Sequence, residues 1–150
     1  MDAAVEGTVT SFLNRALLAI DERDYDFVRT CFAGKVHFDS SSLGGAALDL
    51  SRDQMIAGLE MTFRYLKGTQ HLLGALVVTD EAEGMIDCVA QYQAYHYRDD
   101  LAGLALWVHG GRHHYRLRRI DGGLEIESLR VEMAWTWGDQ AVISTPPLPA

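Results

Sequence analysis

Cys88-Val89-Ala90-Gln91-Tyr92-Gln93-Ala94-Tyr95-His96 alternates between two kinds of side chain over nine residues. That is the period of a half-buried strand. Ala90, Tyr92, Ala94 and His96 then share one face, a wall of small residues carrying two polar groups. The next apolar segment divides in the same way. Trp107, His109, Gly111, His113 and Tyr115 fall on one side, and Val108, Gly110, Arg112, His114, Arg116 and Arg118 on the other. Turn signals at Asp80-Glu81, Arg98-Asp99-Asp100 and Asp121-Gly122-Gly123 cut the chain beyond Thr69 into about four strands, the pattern of a meander of hairpins.

A two-residue turn at Asp121-Gly122 sets Arg118 opposite Glu125 and Arg116 opposite Glu127, favourable cross-strand pairs. The run Arg116, Arg118, Arg119 is therefore explained by sheet pairing better than by nucleic acid. The same register turns Arg130 inward, although Leu129, Val131, Met133 and Trp135 make the better apolar lining. A bulge near Ser128 would reconcile the two.

Upstream the period changes to that of a helix. Val5, Val9, Phe12, Leu13, Ala16, Leu17 and Ile20 form one apolar stripe. Asp24 can cap a short second helix through Cys31 and Phe32, with Gly34 suited to a left-handed stop. Val36-His37-Phe38-Asp39 reads as a short strand and Ser40 to Gly45 as a loop. Ser51 and Gln54 make a capping box for a third helix carrying Met55, Ile56, Leu59, Phe63 and Leu66. Helices first and a long sheet second define an α+β domain. Three helices on one curved sheet are expected to enclose a conical cavity fit for a small apolar ligand. One domain is expected over residues 1–150, with 139–150 a loose tail because Pro146, Pro147 and Pro149 cannot extend a strand.

Composition narrows the partners. The chain has 150 residues, 48% hydrophobic and 23% charged, and a formal charge of −8. That balance repels phosphate backbones and anionic membranes. No apolar run approaches the ~20 residues that span a bilayer, and the start Met1-Asp2-Ala3-Ala4-Val5-Glu6 is acidic where a secretory leader is basic. Cys31 and Cys88 lack metal or redox spacing, which agrees with buried thiols in a reducing cytoplasm.

The chemistry-bearing residues are histidines and one aspartate. Asp21 ends the first helix, where its charge gains nothing from the helix dipole. An imidazole beside it would offset that cost, and His71, just after Gly68, is the candidate; a solvated Asp21 and a His71 that merely bonds a helix end remain the plain alternatives. A paired Asp and His makes a general base near neutral pH. His113 and His114 are adjacent and face opposite ways, so they cannot share a metal. His71, His109 and His113 leave zinc conceivable without any tight spacing to support it.

Asp21-Glu22-Arg23-Asp24-Tyr25-Asp26, Val36-His37-Phe38-Asp39, Thr69-Gln70-His71 and Ile120-Asp121-Gly122 together resemble the SnoaL-like branch of the NTF2-like (cystatin-like) superfamily, and within it the scytalone dehydratases. The likeness runs from about residue 5 to residue 138. It implies an α+β cone with Asp21 holding the catalytic His71 and with His96 as the second histidine. Two tyrosines of the dehydratases that polarise the substrate ketone fall on Ile20 and Ser40, and a serine and an asparagine fall on Gly111 and His113. The resemblance thus implies a cofactor-free, metal-free dehydratase for a small cyclic or aromatic hydroxyketone. His71 would be the base and His96 the proton donor, with Ser40, Tyr92, Trp107, His113, Leu129 and Val131 against the substrate. A non-catalytic binding or assembly module is the alternative, as is a steroid-isomerase-like enzyme with Asp39 or Asp21 as base. The Asp-Arg-Asp set of a limonene-epoxide hydrolase does not assemble. A homo-oligomer, dimer or trimer, is expected, with the apolar Leu101–Trp107 stretch as one possible contact.

Overall fold

The structure is a computed structural model that describes residues 2–103 and 105–149. Helix α1 (Ala3–Asp21) starts at Asp2, whose carboxylate accepts the Ala4 N–H, and buries Val9, Leu13, Ala16, Leu17 and Ile20. The Arg23 N–H donates to the Ile20 carbonyl and the Asp24 N–H to that of Ala19, the paired bonds of a Schellman stop. Asp24 then caps α2 (Tyr25–Cys31) by accepting the Phe27 N–H. Helix α3 (Arg52–Phe63) opens on the expected capping box, both halves of which are formed between Ser51 and Gln54.

Six strands make one open, curved sheet: β1 (Phe32–Asp39), β2 (Ala47–Ser51), β3 (Gly68–Ala82), β4 (Met85–Tyr97), β5 (Leu106–Ile120) and β6 (Gly123–Gly138). Their spatial order is β2-β1-β6-β5-β4-β3. The β3–β6 meander is antiparallel as expected, while β1 runs parallel to β6. The helices cover one face. There Val78, Ile86, Cys88, Tyr115, Leu117, Leu124 and Ile126 meet the α1 stripe and Met55, Ile56 and Phe63 in a continuous core. This is the three-helix, mixed-sheet α+β cone.

Several local expectations are corrected. The short edge strand β2, with one partly buried side chain among exposed ones, fills the stretch between the expected loop and the capping box, where no strand was expected. Gly34 lies inside β1 and not in a left-handed stop, because the chain leaves α2 directly into extended backbone at Phe32. The turn between β3 and β4 is Glu83-Gly84, both at positive φ, and Asp80-Glu81 belong to the strand. Two positive φ values in a row define the primed turn whose twist matches the flanking strands. The tail is tied down as far as Thr145. A 3-10 turn (Gln140–Ile143) buries Val142, the buried Arg98 guanidinium donates to the carbonyls of Val142 and Thr145, and the Gln140 amide donates to the Leu43 carbonyl. Leu104, in the apolar stretch considered for oligomer contacts, lies outside the described residues. Its neighbours Trp107 and Val108 serve the core.

Two irregularities shape β6. Leu117 pairs with Ile126 but Arg116 with Ser128, so Glu127 is the extra residue of a bulge at the expected place. Arg118 still faces Glu125, whereas Arg116 faces Ser128 and not Glu127. Beyond the bulge Leu129 and Val131 turn inward opposite Tyr115 and His113, and Arg130 turns outward opposite His114. A second shift leaves Ala134 unpaired and sends Trp135 to the outer face over Gly110, correcting its expected place in the lining.

At this second bulge a Cβ on Gly111 would sit 2.0 Å from the Glu132 carbonyl oxygen and 2.7 Å from the Ala134 nitrogen. Both obstacles are backbone, so the strand pair must separate to admit it. Gly111→Ala is expected to cost about 3 kcal/mol, a fall in melting temperature of about 6–12 °C. Gly34→Ala, where a Cβ meets nothing within 4 Å, is expected to stay within about 0.5 kcal/mol of wild type. Paired thermal melts measure both.

Candidate functional site

The end of α1 and the start of β3 meet at one carboxylate. Asp21 Oδ1 accepts the Thr69 hydroxyl at 2.9 Å and the His71 ring Nδ1–H at 2.6 Å, and Oδ2 accepts the His71 backbone N–H at 2.8 Å. The charge that the helix end disfavours is held by three donors from the opposing strand. Because Nδ1 donates to the carboxylate, the ring presents Nε2 as its acceptor. Both side chains keep 12–13% of their surface exposed, so the pair stands at the rim and not in the interior.

Behind it a row of rings occupies the inner face. Phe63 meets the His71 ring edge-on at 5.8 Å, and His71 meets His96 at 5.9 Å. His96 stacks on His109 at 5.2 Å, and Trp107 lies against both. The Tyr92 hydroxyl is 2.9 Å from His109 Nδ1, and the Tyr92 ring stacks on His113 at 3.9 Å. His113 Nδ1 in turn meets the Tyr115 hydroxyl at 2.9 Å. His96, His109, His113, Tyr92 and Trp107 are all buried, and no buried polar side-chain atom among the described residues lacks a partner. The stacked rings do not converge on a point: among the described residues no three His, Cys, Asp or Glu side chains are placed to hold a metal ion.

Burial sets the protonation of this row. Desolvation, reinforced by the neighbouring imidazoles, pulls His96 down to about 3, and desolvation pulls His109 down to about 4. His113 is held well below the ordinary histidine range for the same reasons, while burial lifts the Tyr92 phenol to about 12. At neutral pH the three histidines are neutral and Tyr92 is protonated. His96 gives its Nδ1–H to the Trp107 carbonyl at 3.2 Å. Its Nε2 is therefore an acceptor, which argues against its expected role as proton donor.

The other expected positions divide. Tyr92, Trp107, His113 and Val131 share the inner face with the dyad, joined by the partly buried Leu129, Phe38, Leu43 and Leu73. Ser40 does not join them. Its hydroxyl turns to the Ala46 carbonyl and its backbone closes the loop after β1. Asp39, weighed as an isomerase base, accepts the hydroxyl and N–H of Ser41, and those bonds lower its affinity for a proton. His109, considered only as a conceivable zinc ligand, and Arg23 were not among the expected catalytic or substrate-binding residues. His109 shares the face of Trp107 and His113 in the alternation, which was a usable signal. Arg23 sits in a turn, where sequence carries no orientation.

A concavity of about 610 Å³ opens on the opposite face, between Leu72, Gly74, Gln91, Gln93, Arg112 and Trp135. The sheet separates it from the dyad. The ring row lines the inner face, and the dyad borders its exposed rim.

The SnoaL-like domain family model matches residues 2–130, and the chain belongs to that family. No curated protein matches it. Among solved structures, a protein from Kribbella flavida superposes with a TM-score of 0.86 at 17% identity, covering 96% of this chain and 100% of the other. A proposed scytalone dehydratase from Novosphingobium aromaticivorans gives 0.75 at 12% identity, with 87% and 84% covered. The β subunit of benzoate 1,2-dioxygenase from Burkholderia mallei gives 0.67 at 13%, with 89% and 91% covered. At such identities these likenesses show the shared fold. No helix among the described residues is long and apolar enough to cross a membrane.

The depressed histidines give the protein a definite acid response. Each is neutral when folded and binds a proton when unfolded once the pH drops below about 6.5, so the unfolded state holds more protons. Stability is therefore full above that pH and falls from about 6.5 downward, towards about 4 for His109 and about 3 for His96. Each group contributes a slope of somewhat over 1 kcal/mol per pH unit at its steepest. Chemical denaturation between pH 7.5 and 4.5 is expected to show this loss, and His109→Phe is expected to flatten the slope by about one proton.

Proposed function

We propose that the chain is a cofactor-independent hydro-lyase acting on a small cyclic or aromatic hydroxyketone, with His71 as its base. The observation that carries this reading is the Asp21–His71 pair, fixed in one tautomer at a partly open rim beside an apolar, ring-lined face. His71 Nε2 takes the proton from the carbon next to the ketone, and the electron pair moves onto the carbonyl oxygen as an enolate. When that pair returns, the C–O bond to the β-hydroxyl breaks. The hydroxyl leaves as water with the proton that His71 now carries, and the imidazole is neutral again. One group thus serves as base and then acid on the same side of the substrate, and His96 is not needed as donor.

The enolate needs a hydrogen-bond donor. Tyr92 is the choice in this reading: burial keeps its phenol protonated, and His109 Nδ1–H can donate to the phenolic oxygen so that the hydroxyl proton points elsewhere. His96 and Trp107 then act as apolar and stacking surface. The likeness to a dioxygenase β subunit supports a second reading, a binding or assembly module using the same face without turnover.

An absorbance time course with scytalone and simpler β-hydroxytetralones separates the two. Wild-type turnover is expected, with His71→Ala and Asp21→Asn each lowering kcat at least about 10²–10⁴-fold. Tyr92→Phe is expected to lose about 10²–10³-fold in kcat with KM little changed. A folded wild type that turns over none of the panel would favour the binding module.

A further inference from the structure

We infer that Arg23 is a positioning residue for the Asp21–His71 pair, acting through the Thr69 hydroxyl. The inference rests on the pair being the reactive centre of the proposed function.

The local chemistry assigns each proton. Arg23 carries two N–H bonds on Nη1, and both are used: one reaches the Ile20 carbonyl at 3.0 Å, the other the Thr69 Oγ1 at 2.8 Å. A guanidinium only donates, so Thr69 Oγ1 must accept from it. The single hydroxyl proton of Thr69 is then directed to its remaining partner, Asp21 Oδ1, at 2.9 Å. That same oxygen accepts from the His71 ring. Arg23 thus determines which way Thr69 points, and Thr69 helps determine where the carboxylate sits. The Arg23 guanidinium also lies over the Phe63 ring at 5.0 Å, and Phe63 is the ring that meets His71 edge-on. One side chain thus contacts two of the groups that touch the Asp21–His71 pair, Thr69 and Phe63.

An independent observation comes from the backbone. Arg23 has φ +61°, in the left-handed region that the Schellman stop requires and that glycine fills most readily. Glu83, the other non-glycine residue there among the described residues, stands in the β3–β4 hairpin turn, where the turn type demands it. At residue 23 a glycine would serve the helix stop at lower strain. The side chain present instead spans the helix end and the strand that form the site. A strained residue whose side chain reaches the reactive groups fits a positioning role.

The test needs no substrate, so it stands apart from the question of turnover. A short Nδ1–H···carboxylate hydrogen bond gives a far-downfield proton resonance, assigned here by its loss in Asp21→Asn. In Arg23→Gly that resonance is expected to move upfield or vanish through exchange, while the melting temperature holds or rises by up to about 2–4 °C. Arg23→Lys, which keeps the charge and donors, is expected to return the resonance towards its wild-type position. Thr69→Val is expected to reproduce the glycine variant's shift. An unmoved resonance in Arg23→Gly overturns the inference. So does a resonance lost together with a lowered melting temperature, since Arg23 would then be only a structural brace for the helix end. If the resonance behaves as expected and no hydroxyketone is turned over, the inference stands and the dehydratase reading falls.

Discussion

A carboxylate at the wrong end of a helix organises this molecule. Asp21 closes α1, where the last carbonyls already make the site negative, and no basic residue occupies the last turn. The compensation comes from outside the helix, through Thr69 and both the ring and the backbone of His71. That requirement joins the end of α1 to the first residues of an edge strand. It pins the helix end to Thr69 and His71 and sets which ring nitrogen of His71 faces outward. The apolar stripe of α1 packs the helix on the sheet, and the Asp21 carboxylate then fixes the contact with β3 and the tautomer of His71.

The second constraint is the irregularity of β6. A uniform ladder from the Asp121-Gly122 turn would have put Arg130 among the rings and pointed Val131 at solvent. The extra residue Glu127 inverts the faces, and Ala134 inverts them again near the rim. At the second inversion the backbone comes close to the neighbouring strand, so residue 111 is glycine. Placing a side chain there would drive it into the Glu132 carbonyl. The interior is filled instead from β4 and β5, by Tyr92 and the histidines.

Much of this was legible beforehand because the informative signals are local. The Ser51–Gln54 capping box, the Asp24 cap and the alternation through β4 and β5 depend only on residues within a few positions of one another. Asp21 and His71 were readable for a different reason: an acid at a helix end is a small electrostatic anomaly that asks for a partner. Part of what was missed depends on contacts distant in sequence. Nothing near Gln140 announces that the Arg98 guanidinium will hold the tail. Ser40, expected among the site lining, turns its hydroxyl to close its own loop. Edge strand β2 is short and exposed, so it lacks the buried alternation that marks its neighbours. The left-handed Arg23 was invisible because sequence records which residues favour that conformation, not which are forced into it.

The division of charge between rim and interior bears on what the site can do. Three of the four histidines in the ring row are buried where a proton is unwelcome, and His96 spends its N–H on a backbone carbonyl. They supply flat, polarisable, neutral surface, suited to an aromatic guest and unsuited to delivering protons. His71 alone in that row is both partly exposed and paired with a carboxylate, so a positive charge formed on it in the proposed reaction would be stabilised where it forms. A site built this way favours chemistry in which one group takes a proton and gives it back, over chemistry that needs an acid and a base of separate identity. The elimination of water beside a ketone has that economy, since the proton removed from carbon is the one the departing hydroxyl requires.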